Sequence, residues 1–314
     1  MPVKTAKWRQ LNDPDVVANG GEILALAASF QRALVAQNKA PRTVRVYLDS
    51  ATRLADFLKD AEMPTDIAAI RREHVEKFVI HQLISFKPAT ASTRYRALQQ
   101  FFKYLLEEGE ISVSPMANMK PPLVPDQPPE VLRDEELRKL LKVCEGGDFV
   151  SRRDTAIIRL LIDSGMRRAE IAGLKVSDVH FDQGVALVLG KNRKPRACPF
   201  GKKTAQALDR YLRTRSVHPD ADGEALWLGR AGAMSDSGVY QMVKDRAASV
   251  GVKAYTHLFR HTFAHNWLDQ EGNEGDLMQL MGWNSRTMIQ RYGASAAGER
   301  ARNAHRRLAL GDRL

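Results

Sequence analysis

The sequence predicts a mainly helical chain of two domains: an all-helical bundle, a proline-rich linker, and a mixed α+β domain with a small β-hairpin. Three observations carry this expectation. Apolar residues in the first 120 positions recur at helical spacing, with no strand pattern between them. Five prolines fall among the nine positions from Pro121 to Pro129, where missing backbone donors and restricted preceding residues favour extended chain. Beyond them, helical stripes are interrupted by two short strand-like runs that flank a basic turn. At 314 residues the chain is also long for a single core.

Residues 1–20 lack clear periodicity and read as a leader; residues 21–120 form the first domain, 121–130 the linker and 131–314 the second domain. Four stripes define the bundle. Ile23, Leu24, Ala27, Phe30 and Leu34 make the first, and Val44, Tyr47, Leu48, Ala51, Leu54 and Leu58 the second. Val75, Phe78, Val79 and Leu83 follow, then Tyr95, Leu98, Phe101, Phe102, Leu105 and Leu106, closed by Gly109. In the second domain, helices are expected over 133–143, 153–164 and 168–174, and a hairpin over 185–189 and 196–200 around the turn Gly190 to Pro195. Helices return over 202–214, 237–250, 258–270 and 276–281. A further helix is expected to end at Tyr292-Gly293, before a separate basic amphipathic helix over Glu299 to Leu310.

Composition narrows the function classes. No apolar run approaches the ~18 residues of a membrane span, and the N-terminus has no apolar stretch of the secretory kind. The two cysteines, Cys144 and Cys198, lie far apart, which predicts buried thiols in a reducing, cytoplasmic setting with no disulfide and no zinc site. The net charge of +11, split +4 and +7 between residues 1–120 and the remainder, favours a polyanionic partner. Asp220, Asp222 and Glu224 lie close together but read as a solvated loop. The sequence shows neither a phosphate-binding glycine loop nor an acidic metal cluster, so neither a nucleotide cofactor nor a metal is expected.

The second half holds residue types suited to phosphodiester chemistry. Arginine is permanently charged and its fork matches phosphate oxygens. Arg167 opens a helix after a Ser-Gly break, where backbone donors also favour an anion, and Glu170 three residues on can hold it. Lys191 stands on the hairpin turn. His257 and Arg260 lie one helical turn apart on one face, and Trp283 and Tyr292 follow. Taken singly, each is more often a capping pair, a surface charge or a packed aromatic; their order and spacing change the odds.

Four segments, SGMRRAEIAGL (164–174), LGKNRKPRACPFG (189–201), HLFRHTFAHNWL (257–268) and LMGWNSRTMIQRYG (280–293), resemble the tyrosine recombinase, or phage integrase, family. They stand in the family's order, with Arg167 and Lys191 separated by 24 positions and Trp283 and Tyr292 by 9. APRTVRVYLDSATRLADFL (40–58) and ATASTRYRALQQFFKYLLEEGEISVSP (89–115) resemble its core-binding, SAM-like helical domain, so the likeness spans about residues 23–310.

The resemblance implies that Arg167 and Arg260 clamp the scissile phosphate, Lys191 protonates the 5′-oxygen and His257 assists proton transfer. Tyr292 would form a 3′-phosphotyrosyl link, with Glu170 supporting the site. Trp283 stands where many members have a second histidine, a Cre-like feature; its indole can donate but cannot shuttle a proton. The implied partners are double-stranded DNA sites and three further copies of the chain, a tetramer joined through the C-terminal helix. Arg42, Thr43, Arg45 and Arg94 are candidate DNA contacts of the first domain, whereas Tyr47 sits on an apolar stripe and reads as core. A type IB topoisomerase and a non-catalytic DNA-binding regulator are the alternatives. Among recombinases, the tryptophan and the basic C-terminus lean towards a mobile-element integrase over a resolvase or a Xer-like protein.

Overall fold

A computed structural model describes residues 21–125, 129–190, 195–230 and 232–313; the expected leader and Lys191 lie outside them. The chain divides into two compact units between Asp126 and Gln127.

The first unit is built from α1 (Gly21–Ala36), α2 (Pro41–Asp60), α3 (Arg72–Ser85) and α4 (Pro88–Glu107). Pro41 and Pro88 each begin a helix, where the missing N–H is no loss. Most of each stripe expected from spacing becomes the core: Leu48, Ala51, Leu54 and Leu58 of α2 pack with Phe30, Phe78, Tyr95, Leu98, Phe101 and Phe102, whereas Leu83 and Leu106, in the last turns of α3 and α4, are exposed. Tyr47 stacks on Phe30 with ring centroids 6.0 Å apart, as the apolar stripe predicts.

The second unit starts with α5 (Asp134–Val143), α6 (Phe149–Ser164) and α7 (Arg168–Ala172). Helix α6 begins a turn earlier than the apolar pattern predicts, because the Asp148 carboxylate accepts from the Ser151 N–H and caps it. Strands β1 (Val179–His180), β2 (Val185–Leu189) and β3 (Pro195–Pro199) form an antiparallel sheet in that order. The pairs Ala186–Cys198 and Val188–Arg196 set the β2–β3 register, so Cys198 and Arg196 share the inward face of β3. Next come α8 (Lys202–Arg215), a short hairpin of β4 (Leu228–Gly229) and β5 (Gly232–Ala233), and α9 (Asp236–Ala248). The unit closes with α10 (Thr256–Asp269), α11 (Glu274–Met281) and α12 (Thr287–Leu308).

Helix α12 corrects one expectation. The chain does not break at Tyr292-Gly293: one helix runs from Thr287 to Leu308, past both Gly293 and Gly298. Each glycine costs about 1 kcal/mol in a helix, and the alanines of Ala294-Ser295-Ala296-Ala297 between them offset it.

The main core of this unit joins α6, α8 and α9 through Ile157, Leu161, Leu208, Tyr211, Trp227 and Val243. A smaller cluster of Ala264, Leu268, Leu277, Met281, Trp283, Ile289 and Tyr292 binds α10, α11 and α12 together. Burial pushes the thiols of Cys144 and Cys198 up to about 11. Among the described residues, no helix is long and apolar enough to cross a membrane, and no group of three or more potential metal ligands gathers. Asp220, Asp222 and Glu224 are exposed, with Glu224 paired to Lys175 at 2.6 Å.

Candidate active site

Two left-handed glycine turns build the site. Gly165 (φ 55°) ends α6 and delivers Arg167 to the start of α7; Gly282 (φ 60°) ends α11 and delivers Trp283. An L side chain at either position would be strained, and a Cβ on Gly165 would meet Phe263 at 3.0 Å. Arg260 joins the turns: its Nη1 donates to the Gly165 carbonyl at 2.8 Å and its Nη2 to the Met281 carbonyl at 2.5 Å. With only 1% of its surface exposed, Arg260 is a fully buried cation. Burial, then the like charges of Arg167 and Arg196, push its guanidinium down to about 10, still protonated at neutral pH.

Arg167 is the N-cap of α7. Its backbone N–H donates to one Glu170 oxygen and its Nη1 to the other, both at 2.7 Å, which closes a capping box. Its Nη2 has only long contacts, 3.5 Å, to the carbonyls of Met281 and Gly282, and the side chain is 36% exposed. That edge retains donors for an incoming anion. Burial opposes ionisation of Glu170, but the Arg167 N–H and the charges of Arg196 and Arg167 outweigh it and hold the carboxyl below its usual range.

Arg196 was not anticipated from the motifs. It donates to Glu170 Oε2 at 2.5 Å and to the Leu280 carbonyl. The signal was present in the strand period: Arg196 stands two residues before the buried Cys198, on the same face of β3. Two guanidiniums thus hold one carboxylate while a third, Arg260, lies close by on backbone carbonyls, leaving a local surplus of two positive charges. A phosphodiester carries one negative charge and gains a second as a nucleophile adds to phosphorus, so the surplus matches the charge that develops.

A line of rings flanks these cations. His257, exposed at the start of α10, meets His261 edge-on at 4.5 Å. His261, which motif reading also missed, lies 4.9 Å from Tyr292, and Tyr292 stacks on Trp283 at 4.8 Å and 15°. The Arg260 guanidinium lies 5.6 Å from the Trp283 ring. Arg167, Glu170, Arg260, Trp283 and Tyr292 are therefore brought together, His257 joins through His261, and Lys191 lies outside the described residues. Tyr292 is 1% exposed.

In the first unit, Arg42 and Arg45 are exposed on α2 and Thr43 is half-buried. Arg94 differs. It sits in the second turn of α4 rather than at its start, nine-tenths buried, over the Phe86 ring at 4.1 Å and donating to Gln82.

Residues 130–299 match the phage integrase family, and residues 26–109 match the phage integrase N-terminal SAM-like domain. Tyrosine recombinase XerC of Neisseria meningitidis serogroup C is 31% identical over 269 residues, covering 82% of this chain and 87% of that protein. Tyrosine recombinase XerD of Listeria monocytogenes is 27% identical, covering 79% and 86%. Among solved structures, XerH recombinase bound to palindromic difH substrate in a post-cleavage complex superposes with a TM-score of 0.71 at 20% identity, covering 86% of this chain and 81% of that one. The Tn1549 transposon integrase in complex with a circular intermediate DNA gives a TM-score of 0.70 at 19% identity, covering 91% and 99%.

Proposed function

Since the chain belongs to the phage integrase family of tyrosine recombinases, we propose that it breaks and rejoins duplex DNA at specific sites with Tyr292 as nucleophile. The observation that carries this reading is the surplus of guanidinium charge beside Tyr292: Arg260 lies 5.6 Å from the ring stacked on the tyrosine, and Arg167 keeps donors facing solvent.

In this reading Arg167 and Arg260 take the non-bridging oxygens of the scissile phosphate. Tyr292 attacks phosphorus and forms a 3′-phosphotyrosyl bond as the phosphorus–oxygen bond to the 5′-carbon breaks. Lys191 supplies the proton to that 5′-oxygen, His257 assists the transfer, and the Trp283 indole donates to the phosphate. Glu170 holds the arginines. One phosphate ester replaces another, so a 5′-hydroxyl from the partner strand reverses the step without a nucleotide. The first unit serves as the core-binding domain, with Arg42, Thr43 and Arg45 on the backbone of the DNA. Four chains on two sites are the working assembly; the long α12, with Leu308 exposed at its end, is the element offered to a neighbour.

Bound duplexes selected from a random pool supply a site, which is then nicked so that cleavage becomes irreversible. The wild-type chain is expected to give a covalent protein–DNA band on a denaturing gel, and Tyr292→Phe none. Sedimentation of the trapped complex is expected to find four chains on two duplexes. Binding without an adduct in the wild type would overturn the reading.

A further inference from the structure

Arg196 has no role in the scheme above, yet its side chain is only 10% exposed and it touches three elements of the site. From β3 it reaches Glu170 in α7 at 2.5 Å and the Leu280 carbonyl at the end of α11. Its stem packs on the second glycine turn, where a Cβ added to Gly282 would meet Arg196 Cδ at 3.3 Å. Arg167, by contrast, has one short side-chain contact, to the other Glu170 oxygen.

We propose that Arg196 is a positioning residue for the phosphate clamp, aiming Arg167 through the Glu170 carboxylate that the two arginines share. The inference rests on Arg167 binding the scissile phosphate. A buried carboxylate requires cationic partners. While Arg196 occupies Oε2, Arg167 engages Glu170 with one edge and keeps the other for the substrate. Without Arg196, Glu170 would draw the whole Arg167 fork onto itself, so that substrate phosphate and carboxylate compete for the same donors. Lysine in place of Arg196 brings the charge but cannot span Glu170 and Leu280 at once with the geometry of a planar fork.

The test measures single-turnover adduct formation on the nicked site for wild type, Arg196→Lys, Arg196→Met and Arg167→Lys. Each is run with an ordinary scissile phosphate and with a methylphosphonate, whose neutral phosphorus centre demands far less of a well-aimed guanidinium. Arg196→Met is expected to bind the site as wild type does and to cleave it about 10²-fold more slowly, the scale of a small misplacement of a reacting group. Arg196→Lys should lie between the two. Both deficits should narrow on the methylphosphonate, which a general loss of folding would not produce. If Arg196→Met fails to fold, Arg196→Lys carries the same comparison. A folded Arg196 variant that cleaves at the wild-type rate, or whose deficit is equal on both substrates, overturns the proposal. Wild-type cleavage by Arg167→Lys would instead overturn the clamp reading on which it rests.

Discussion

Among the described residues of the second unit, the side chains of Asp154 and Glu170 are buried carboxylates held by arginines, and they are built to different ends. Asp154 is saturated: Arg153 grips one oxygen at 2.8 and 2.9 Å, and Arg246 grips the other at 2.9 Å through both Nε and Nη2. The remaining arginine donors find the carbonyls of Leu228 and Val143, so the network ties α6 to the β4 strand and to the end of α5. Glu170 also meets two arginines, but a third, Arg260, lies close by on backbone carbonyls alone, and Arg167 is left partly exposed with donors in reserve. The difference lies in the balance of charge and in where the spare donors point. A network that satisfies its own members is structural; one that holds an excess of cations against an opening is ready for an anion.

The sharpest way to break this contrast is to remove one buried arginine from each network. Arg260→Met should slow adduct formation about 10³-fold, the upper range for deleting a preorganised donor to a developing anion. Arg153→Met should lower unfolding free energy by about 3 kcal/mol, because Asp154 loses a partner, while leaving cleavage per folded molecule unchanged. Denaturant melts and single-turnover cleavage on the same preparations separate the two effects. Equal losses of cleavage in both variants would mean that charge balance does not distinguish the networks.

A smaller effect follows from ionisation. The folded Glu170 carboxyl is held below its ordinary value of 4.5, so its charge contributes stability that is present above that pH and lost as pH falls below it. Glu170→Gln keeps the shape but not the charge, and should be less stable by about 2 kcal/mol at neutral pH, the scale of hydrogen bonds to a charged group. The gap should close as the wild-type carboxyl takes up its proton below 4.5. Melts at a series of pH values check this, and a gap that stays constant across the series would remove the charge from the account.

How much of this was legible beforehand depends on the kind of interaction. The helices of the first unit were readable because their packing is periodic: Leu48, Ala51, Leu54 and Leu58 mark one face of α2, and that face is the core. Arg167, Glu170, Arg260 and Tyr292 were readable because each sits in a local motif. Arg196 and His261 were not singled out, since their importance comes from partners 26 residues away for Arg196–Glu170 and from a ring contact across two helices for His261–Tyr292. Helix ends were misjudged where a side-chain cap (Asp148) or an alanine-rich filler (294–297) overrode the apolar pattern. Arg94 looked like a surface cation by charge alone, and only its packing against Phe86 and Gln82 shows otherwise.

That last case carries the contrast between satisfied and outward-facing arginines into the first unit, where the expected effect is smallest. Arg42 is exposed on α2, and its replacement by alanine should reduce the slope of log affinity against log salt by about 1, the signature of one lost phosphate contact. Arg94 already meets an amide oxygen and an aromatic face. Arg94→Met should leave the salt slope where it was and appear instead as a lower melting temperature, because the Gln82 carbonyl oxygen loses its donor in a buried position. Titrations of site binding over a range of salt concentrations decide the matter. If Arg94→Met flattens the slope as much as Arg42→Ala does, burial and internal pairing do not predict which arginines of this protein face DNA.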